Sequence, residues 1–150
     1  MDVISTRLQG KALIADGAMG TQLLERVPIS QNLEALNIVE PQHVLDIHQA
    51  YLEAGAELLE TNSFGANRLR LARYGFAGKV SAINRQAVAL ARKVAGAKAL
   101  VAASVGPLGR PLAPWGSLSL EEAEEAFTEQ LEALPRPIWF CWRLLRIWRR

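Results

Sequence analysis

Cysteine is nearly absent from this 150-residue sequence, which contains only Cys141. A single cysteine excludes a disulfide within the chain and indicates a reducing compartment. It also excludes a metal site built from several cysteines of these residues. Histidine is scarce as well: His43 and His48 are five residues apart, whereas a zinc-binding pair on one helix face is four apart. We therefore expect both histidines to be surface or packing residues.

Long apolar runs and phosphate-binding glycine motifs are also missing. No stretch reaches the roughly 20 apolar residues of a membrane span, and the N-terminal residues lack the pattern of a secretory signal. Neither Gly-x-Gly-x-x-Gly nor Gly-x-x-x-x-Gly-Lys-Ser/Thr occurs. The sequence predicts a cytoplasmic protein without a membrane partner and without a standard nucleotide-phosphate loop.

Charge is divided unequally along the chain, although half of all residues are apolar and suffice for one core. Residues 1–134 contain 12 basic residues and all 15 acidic ones, whereas residues 135–150 contain five arginines, three of the four tryptophans and no acid. Because the basic excess is confined to this tail, it is not a nucleic-acid-binding surface spread over a domain. We therefore predict a domain at 1–134, a discordant tail at 135–150 and no nucleic-acid partner.

Two hypotheses account for the tail. A one-base frameshift would turn leucine codons into tryptophan codons, because CTG followed by G reads TGG one base later. Alternatively, residues 138–150 form a basic amphipathic helix that binds an anionic membrane surface, with Arg143 and Arg146 on one face and Trp142 and Trp148 on the other. We favour the frameshift, because such a helix has no evident reason to follow a partial domain.

Apolar runs alternate with helical patterns before the tail. The runs at 11–15, 57–60 and 97–105 predict strands, and the periodicity predicts helices over 41–54, 66–74 and 80–95. Ser119 and Glu122 have the spacing of a capping box, which predicts a helix reaching about Leu134. Continuous apolar strands joined by helices indicate a parallel α/β sheet, either part of a (β/α)8 barrel or an open doubly wound sheet.

Polar residues follow all three predicted strands. Because the carboxyl ends of parallel strands meet at the ligand-binding edge, we expect these residues to share one site. They also have structural alternatives. An Asp can cap the next helix, and a Gly can satisfy the backbone angles of a turn. The Glu can pair with a neighbouring arginine, the Thr and Asn can bind loop backbone groups, and the Ser can be a small packing residue at a strand end. The candidate site residues are Asp16, Gly17, Glu60, Thr61, Asn62 and Ser104.

Four segments, in order, resemble landmarks of the homocysteine S-methyltransferase family. They are Asp16–Thr21 (DGAMGT), Glu34–Asn37 (EALN), Glu60–Asn67 (ETNSFGAN) and Ser104–Pro107 (SVGP), within a resemblance that runs from about Leu8 to Leu134. The resemblance implies the N-terminal portion, about three βα units, of a (β/α)8 TIM barrel that transfers a methyl group to homocysteine, giving methionine. It makes the six candidate residues substrate-binding, with Asp16 toward the substrate ammonium.

The resemblance also implies a zinc ion held by three cysteine thiolates, which would lower the pKa of the substrate thiol. Those cysteines are missing here, and Cys141 falls where the family has its fourth strand, so we assign no metal ligand and no catalytic residue. We expect this chain alone to be inactive. The intact protein would have a folate, cobalamin or reductase domain as partner, and its methyl donor is open. The alternative is a zinc-independent small-molecule-binding protein or a half-barrel that a partner chain completes.

Overall fold

The computed structural model describes residues 12–28 and 31–134, together with a strand at 139–141. The helices are α1 (Met19–Leu24), α2 (Leu36–Val39), α3 (Pro41–Glu53), α4 (Arg68–Ala72), α5 (Val80–Ala95) and α6 (Leu120–Ala133), with a 3-10 turn at Ala77–Lys79. The strands are β1 (Leu58–Glu60), β2 (Leu100–Ser104) and β3 (Trp139–Cys141).

The sheet is parallel, as the sequence predicted, and its strands follow one another in chain order, β1-β2-β3. Leu58 pairs with Leu100, and Ala102 pairs with Trp139. On the free edge of β1, Ala15 forms an isolated parallel bridge with Leu58. In the described part of the predicted strand at 11–15, this bridge is the only strand-like pairing; Lys11 lies outside the described residues.

Two predictions of local structure need correction, and two short helices were missed. The helix predicted over 66–74 is shorter and occupies Arg68–Ala72. The short helices α1 and α2 were not predicted at all. The amphipathic-helix interpretation of residues 138–150 is wrong at Trp139–Cys141, which form a strand beside β2, whereas residue 138 and residues 142–150 lie outside the described structure.

Helix α5 is the central element of the helical layer, and its predicted range is confirmed at both ends. Val80, Ile83, Ala87 and Leu90 recur at helical spacing and are all buried. Gly96, with φ of +49°, ends the helix in a conformation that favours glycine. Because α5 contacts α2, α3 and α6 as well as β1 and β2, it fixes how the strands lie beneath the helices.

The two faces of the sheet differ in what covers them. Leu59 and Ala103 are fully buried and belong to apolar clusters with residues of the helical layer, such as Ala95 and Val88. Since successive side chains of a strand point to opposite faces, Glu60 and Ser104 project from the other face. The helices therefore cover one face, and the candidate polar residues Glu60 and Ser104 stand on the opposite one.

Candidate functional site

Asp16 lies beside the carboxyl end of β1. Its Oδ1 and Oδ2 accept hydrogen bonds from the backbone N–H of Glu60, at 3.1 and 3.0 Å. The Asp16 side chain is 1% exposed. Its alternative role as a helix cap is wrong, because the N-cap of α1 is Ala18 and no side chain caps that helix. The carboxylate instead joins the first loop to the end of β1.

His48 lies against this carboxylate, which the sequence did not indicate. Its imidazole is fully buried on α3, with Nδ1 3.9 Å from Oδ2 of Asp16. Burial lowers the pKa of His48 to about 4, so the ring is neutral at pH 7 and the contact is not an ion pair. The packing role expected for His48 agrees with its burial, whereas His43 is partly exposed and bonds to Glu40.

Gly17 allows α3 to approach the first loop closely. A Cβ at position 17 would lie 2.9 Å from the Tyr51 hydroxyl oxygen and 3.1 Å from a ring carbon. Tyr51 and His48 are three residues apart on α3 and therefore share one helix face. The glycine thus serves the packing of this turn against α3. The positive-φ glycines of the described residues are Gly55, Gly75, Gly96 and Gly109, so the backbone angle at Gly17 does not require glycine.

Glu60 and Ser104 meet on the face of the sheet opposite the helices. The Ser104 hydroxyl donates to Oε2 of Glu60 at 3.4 Å, so the two strand ends are in contact. Ser104 is buried and Glu60 is half-buried. This pair is the part of the candidate site that combines a charged carboxylate with an adjacent hydroxyl at the strand ends.

Thr61 and Asn62 use their polar groups to hold the loops that follow the strands. The Thr61 hydroxyl oxygen accepts the backbone N–H of Ser104 at 3.1 Å and contacts the Ser63 hydroxyl at 2.6 Å. The Asn62 amide donates to the carbonyl of Leu33 at 2.8 Å. Both side chains are buried, so their geometry agrees with the loop-bonding alternative.

Two residues of the Glu34–Asn37 segment form hydrogen bonds with the loop after β1. The sequence analysis did not predict this role. The Glu34 carboxylate accepts the backbone N–H of Gly65 at 2.8 Å, and the Asn37 amide donates to the carbonyl of Asn62 at 2.7 Å. Asn37 is fully buried. The available signal was the position of Glu34 and Asn37 in a segment that resembles a family landmark.

Two buried side-chain amides hold the same loop from the side of the helices. Asn84 on α5 donates to the carbonyl of Ala66, and Gln130 on α6 donates to the carbonyl of Ser63, both at 2.8 Å. Both amides are fully buried. No local pattern marks Gln130, which sits in an otherwise ordinary acidic helix, so only the tertiary contact reveals its role.

Hydrogen bonds therefore connect four of the six predicted residues. Asp16 bonds to Glu60, Glu60 to Ser104, and Ser104 to Thr61. Asn62 turns toward residues 33–37, and Gly17 lies beside Tyr51. A shallow surface depression between α4 and α6 is separate from all six and is lined by Arg68, Thr128 and the glutamates of the acidic helix.

The family model described as homocysteine S-methyltransferase matches residues 13–138. The chain belongs to the homocysteine S-methyltransferase family. The match extends four residues beyond Leu134, where the composition changes. Methionine synthases of Mycobacterium leprae and Mycobacterium tuberculosis are each 34% identical to the chain, over 141 and 142 residues. These alignments cover 85% and 86% of this chain but only 12% of each relative.

Solved structures of a family member agree with this assignment. The metallated form of the homocysteine methyltransferase MmuM from Escherichia coli is 28% identical with a TM-score of 0.71, over 86% of this chain and 52% of that one. Its oxidized form is 26% identical with a TM-score of 0.68, over 88% and 54%. The chain thus spans about half the length of these enzymes and about an eighth of the methionine synthases.

The residues present do not fit the three-thiolate zinc site that the family resemblance implies. The sequence has one cysteine, and no three His, Cys, Asp or Glu side chains converge within the described ranges. Within those ranges, no helix is both long and apolar enough to cross a bilayer. At the carboxyl ends of the strands, Asp16, Glu60 and Ser104 are joined by hydrogen bonds.

Proposed function

We propose that this chain is the N-terminal portion of a (β/α)8 barrel, and that it recognises the amino-acid end of homocysteine in a methyltransferase that makes methionine. The observation that carries the proposal is the Asp16–Glu60–Ser104 edge, at the carboxyl ends of parallel strands in chain order, within a member of this family. Strands of a barrel follow one another in this order around the axis.

The reaction forms a bond between the homocysteine sulfur and a methyl carbon. The thiol loses its proton, the sulfur attacks the methyl carbon, and the bond between that carbon and the donor breaks. No group of this chain is assigned to that step, since the residues that activate the sulfur in the family have no counterpart here. The donor is open, and methyltetrahydrofolate, methylcobalamin, betaine and S-methylmethionine are the candidate classes.

Each of the six residues has a distinct part in this proposal. Glu60 binds the substrate ammonium, because it carries a half-buried carboxylate beside the Ser104 hydroxyl. Asp16, which the resemblance places toward the ammonium, is here given an indirect role, because its side chain is 1% exposed and accepts the Glu60 backbone N–H. Thr61 and Asn62 fix the loop after β1, and Gly17 leaves room for α3. The substrate contacts are therefore direct at Glu60 and Ser104 and indirect at the other four.

Isothermal titration calorimetry with L-homocysteine tests the recognition step on the chain itself. We expect zinc-independent binding that weakens at least about tenfold in Glu60→Gln, because a hydrogen bond to a charged group is worth about 1.5–3 kcal/mol. Glu53→Gln is the matched control, since Glu53 is an exposed carboxylate on α3. L-Methionine shares the amino-acid end and should bind as well. Absence of binding, or equal loss in both variants, would contradict the proposal.

Completion by a partner chain is the second candidate, and the chain aligns with about half of the Escherichia coli enzyme. It is tested by co-expressing this chain with the part of that enzyme that the alignment leaves uncovered. Methyl transfer to homocysteine should require both pieces and should fall in Glu60→Gln. Activity of either piece alone would contradict this candidate.

The frameshift hypothesis for residues 135–150 stays a prediction. Sequencing the gene across the codons for Leu134 to Pro137 tests it directly. A single-base correction that restores an open frame with a Gly-Gly-Cys-Cys segment would support it. An unchanged reading frame would leave this chain as the natural product and make completion by a partner the leading question.

A further inference from the structure

His48 is a buried polar side chain that the proposed function leaves unused. It is fully buried, and neither ring nitrogen has a hydrogen-bond partner among the residues that the structure describes. A buried imidazole without a partner is unfavourable, because its nitrogens lose their hydrogen bonds to water. The arrangement therefore calls for a nearby acceptor or donor that His48 can reach.

Among the described residues, the carboxylate oxygen within 4 Å of the ring is Oδ2 of Asp16, 3.9 Å from Nδ1 of His48. This separation is about 1 Å longer than an N–H···O hydrogen bond, so a small rotation of the imidazole closes it. Both oxygens of this carboxylate, Oδ2 included, already accept the Glu60 backbone N–H, at 3.1 and 3.0 Å. The Asp16 carboxylate therefore lies between the backbone N–H of Glu60 on β1 and the imidazole of His48 on α3.

Helix α3 presents His48 to the first loop as a rigid element. Val44 and Ile47 of α3 belong to the same apolar cluster as Leu23 of α1. Tyr51 packs directly against Gly17, the residue that follows Asp16. These contacts hold the segment that follows Asp16 against α3, so the carboxylate and the imidazole lie side by side.

We propose that His48 is a positioning residue that holds the Asp16 carboxylate through its Nδ1–H and thereby fixes the backbone of Glu60. The order of contacts is His48 to Asp16 to the Glu60 N–H, and from the Glu60 carboxylate to the ligand. This inference rests on the proposed function only in assigning Glu60 to the substrate. In a neutral histidine, the partner of each ring nitrogen decides which nitrogen carries the proton.

The first test is nitrogen-15 NMR of the histidine rings in the intact 150-residue chain. The chain has two histidines, so the partly exposed His43 is an internal reference. We expect the His48 proton on Nδ1, and we expect Asp16→Ala to move it to Nε2. A proton on Nε2 in the wild type would overturn the proposal, and so would a His48 tautomer that does not respond to Asp16→Ala.

The second test replaces His48 by one side chain with a hydrogen-bond donor and by one without. It therefore does not require that the Asp16→Ala variant folds. His48→Asn places an amide N–H near the position of Nδ1, whereas His48→Leu fills the space without a donor. The readout is the amide proton shift of Glu60, whose hydrogen bond to Asp16 reports the carboxylate position. We expect the shift to be retained in His48→Asn and changed in His48→Leu, with His43→Asn as the matched control. Equal behaviour of the two His48 variants would overturn the proposal.

Failure of this inference and failure of the proposed function give different results. An Nδ1–H tautomer together with no homocysteine binding would leave the positioning role intact and reject the substrate. Homocysteine binding that weakens in Glu60→Gln, together with an Nε2–H tautomer, would keep the substrate and reject the role of His48.

Discussion

Gly106 shows how closely the loops after β1 and β2 pack at the level of single residues. Its backbone N–H donates to the carbonyl of Phe64 at 2.9 Å, and a Cβ at position 106 would lie 2.6–2.7 Å from three atoms of the Phe64 ring. The ring therefore lies flush against the glycine, and any side chain there displaces Phe64.

Gly106→Ala should lower the free energy of unfolding by about 2 kcal/mol, because overpacking a filled site forces neighbouring side chains to move. Gly78→Ala is the matched control: a Cβ there meets no heavy atom within 4 Å, so stability should stay equal or rise slightly. Urea denaturation followed by circular dichroism measures both. Equal effects of the two substitutions would show that the contact with Phe64 carries no cost.

The burial of His48 predicts a pH dependence of stability. Its pKa is about 4 in the folded chain and near 6.5 in the unfolded chain, so the unfolded state binds more protons between these values. The contribution of neutral His48 to the free energy of unfolding should therefore be complete above pH 6.5. It should be lost as the pH drops toward 4, by about 3 kcal/mol in total. Urea denaturation between pH 4 and 7 should show this loss in the wild type and a smaller one in His48→Asn. Parallel curves for the two proteins would contradict the assignment.

At the level of elements, α6 begins at a complete capping box. The Ser119 hydroxyl accepts the backbone N–H of Glu122 at 3.1 Å, and the Glu122 carboxylate accepts the N–H of Ser119 at 2.9 Å. The predicted cap is thus confirmed, and the helix ends at Ala133, one residue before the predicted limit. Because α6 also carries Gln130, the cap helps to place the amide that holds the loop after β1.

Ser119→Ala should lower the free energy of unfolding by about 1 kcal/mol, because the backbone N–H of Glu122 loses its side-chain acceptor. Ser81→Ala is the control, because Ser81 is exposed in the first turn of α5 and its loss should stay within about 0.5 kcal/mol. The measurement is the urea concentration at the midpoint of unfolding, compared between variants that have the same m-value. An equal change in both variants would mean that the capping box adds nothing to α6.

At the level of the whole molecule, the sheet has an apolar residue at its exposed edge. Ile14 is 60% exposed, and its carbonyl accepts the backbone N–H groups of Glu57 and Leu58, so it lies directly beside β1. Exposed apolar side chains at a sheet edge favour association with another chain.

We therefore expect the chain to self-associate, and Ile14→Lys to shift it toward the monomer. Sedimentation velocity over a tenfold concentration range measures this. Val39→Lys is the control, because Val39 is 57% exposed at the end of α2 and should leave association unchanged. A wild-type chain that stays monomeric at all concentrations would contradict the prediction.

The features that could be predicted from the amino-acid sequence are those that depend on neighbours along the chain. The periodicity of α5, the capping box of α6 and the polar ends of β1 and β2 are local, because helix spacing and caps involve residues within a few positions. The parallel sheet and the position of Glu60 and Ser104 at one edge followed from these elements. The family landmarks added homocysteine as the expected ligand.

Which candidate residues face one another depends on contacts between distant parts of the chain. His48 meets Asp16 across 32 positions of sequence, and Gln130 reaches Ser63 across 67. Whether Asp16 caps a helix or holds β1, and whether Thr61 and Asn62 face a ligand or a loop, depends on strand register and on how α3, α5 and α6 pack on the sheet. These contacts are long-range, and no pattern within a short window of sequence specifies them.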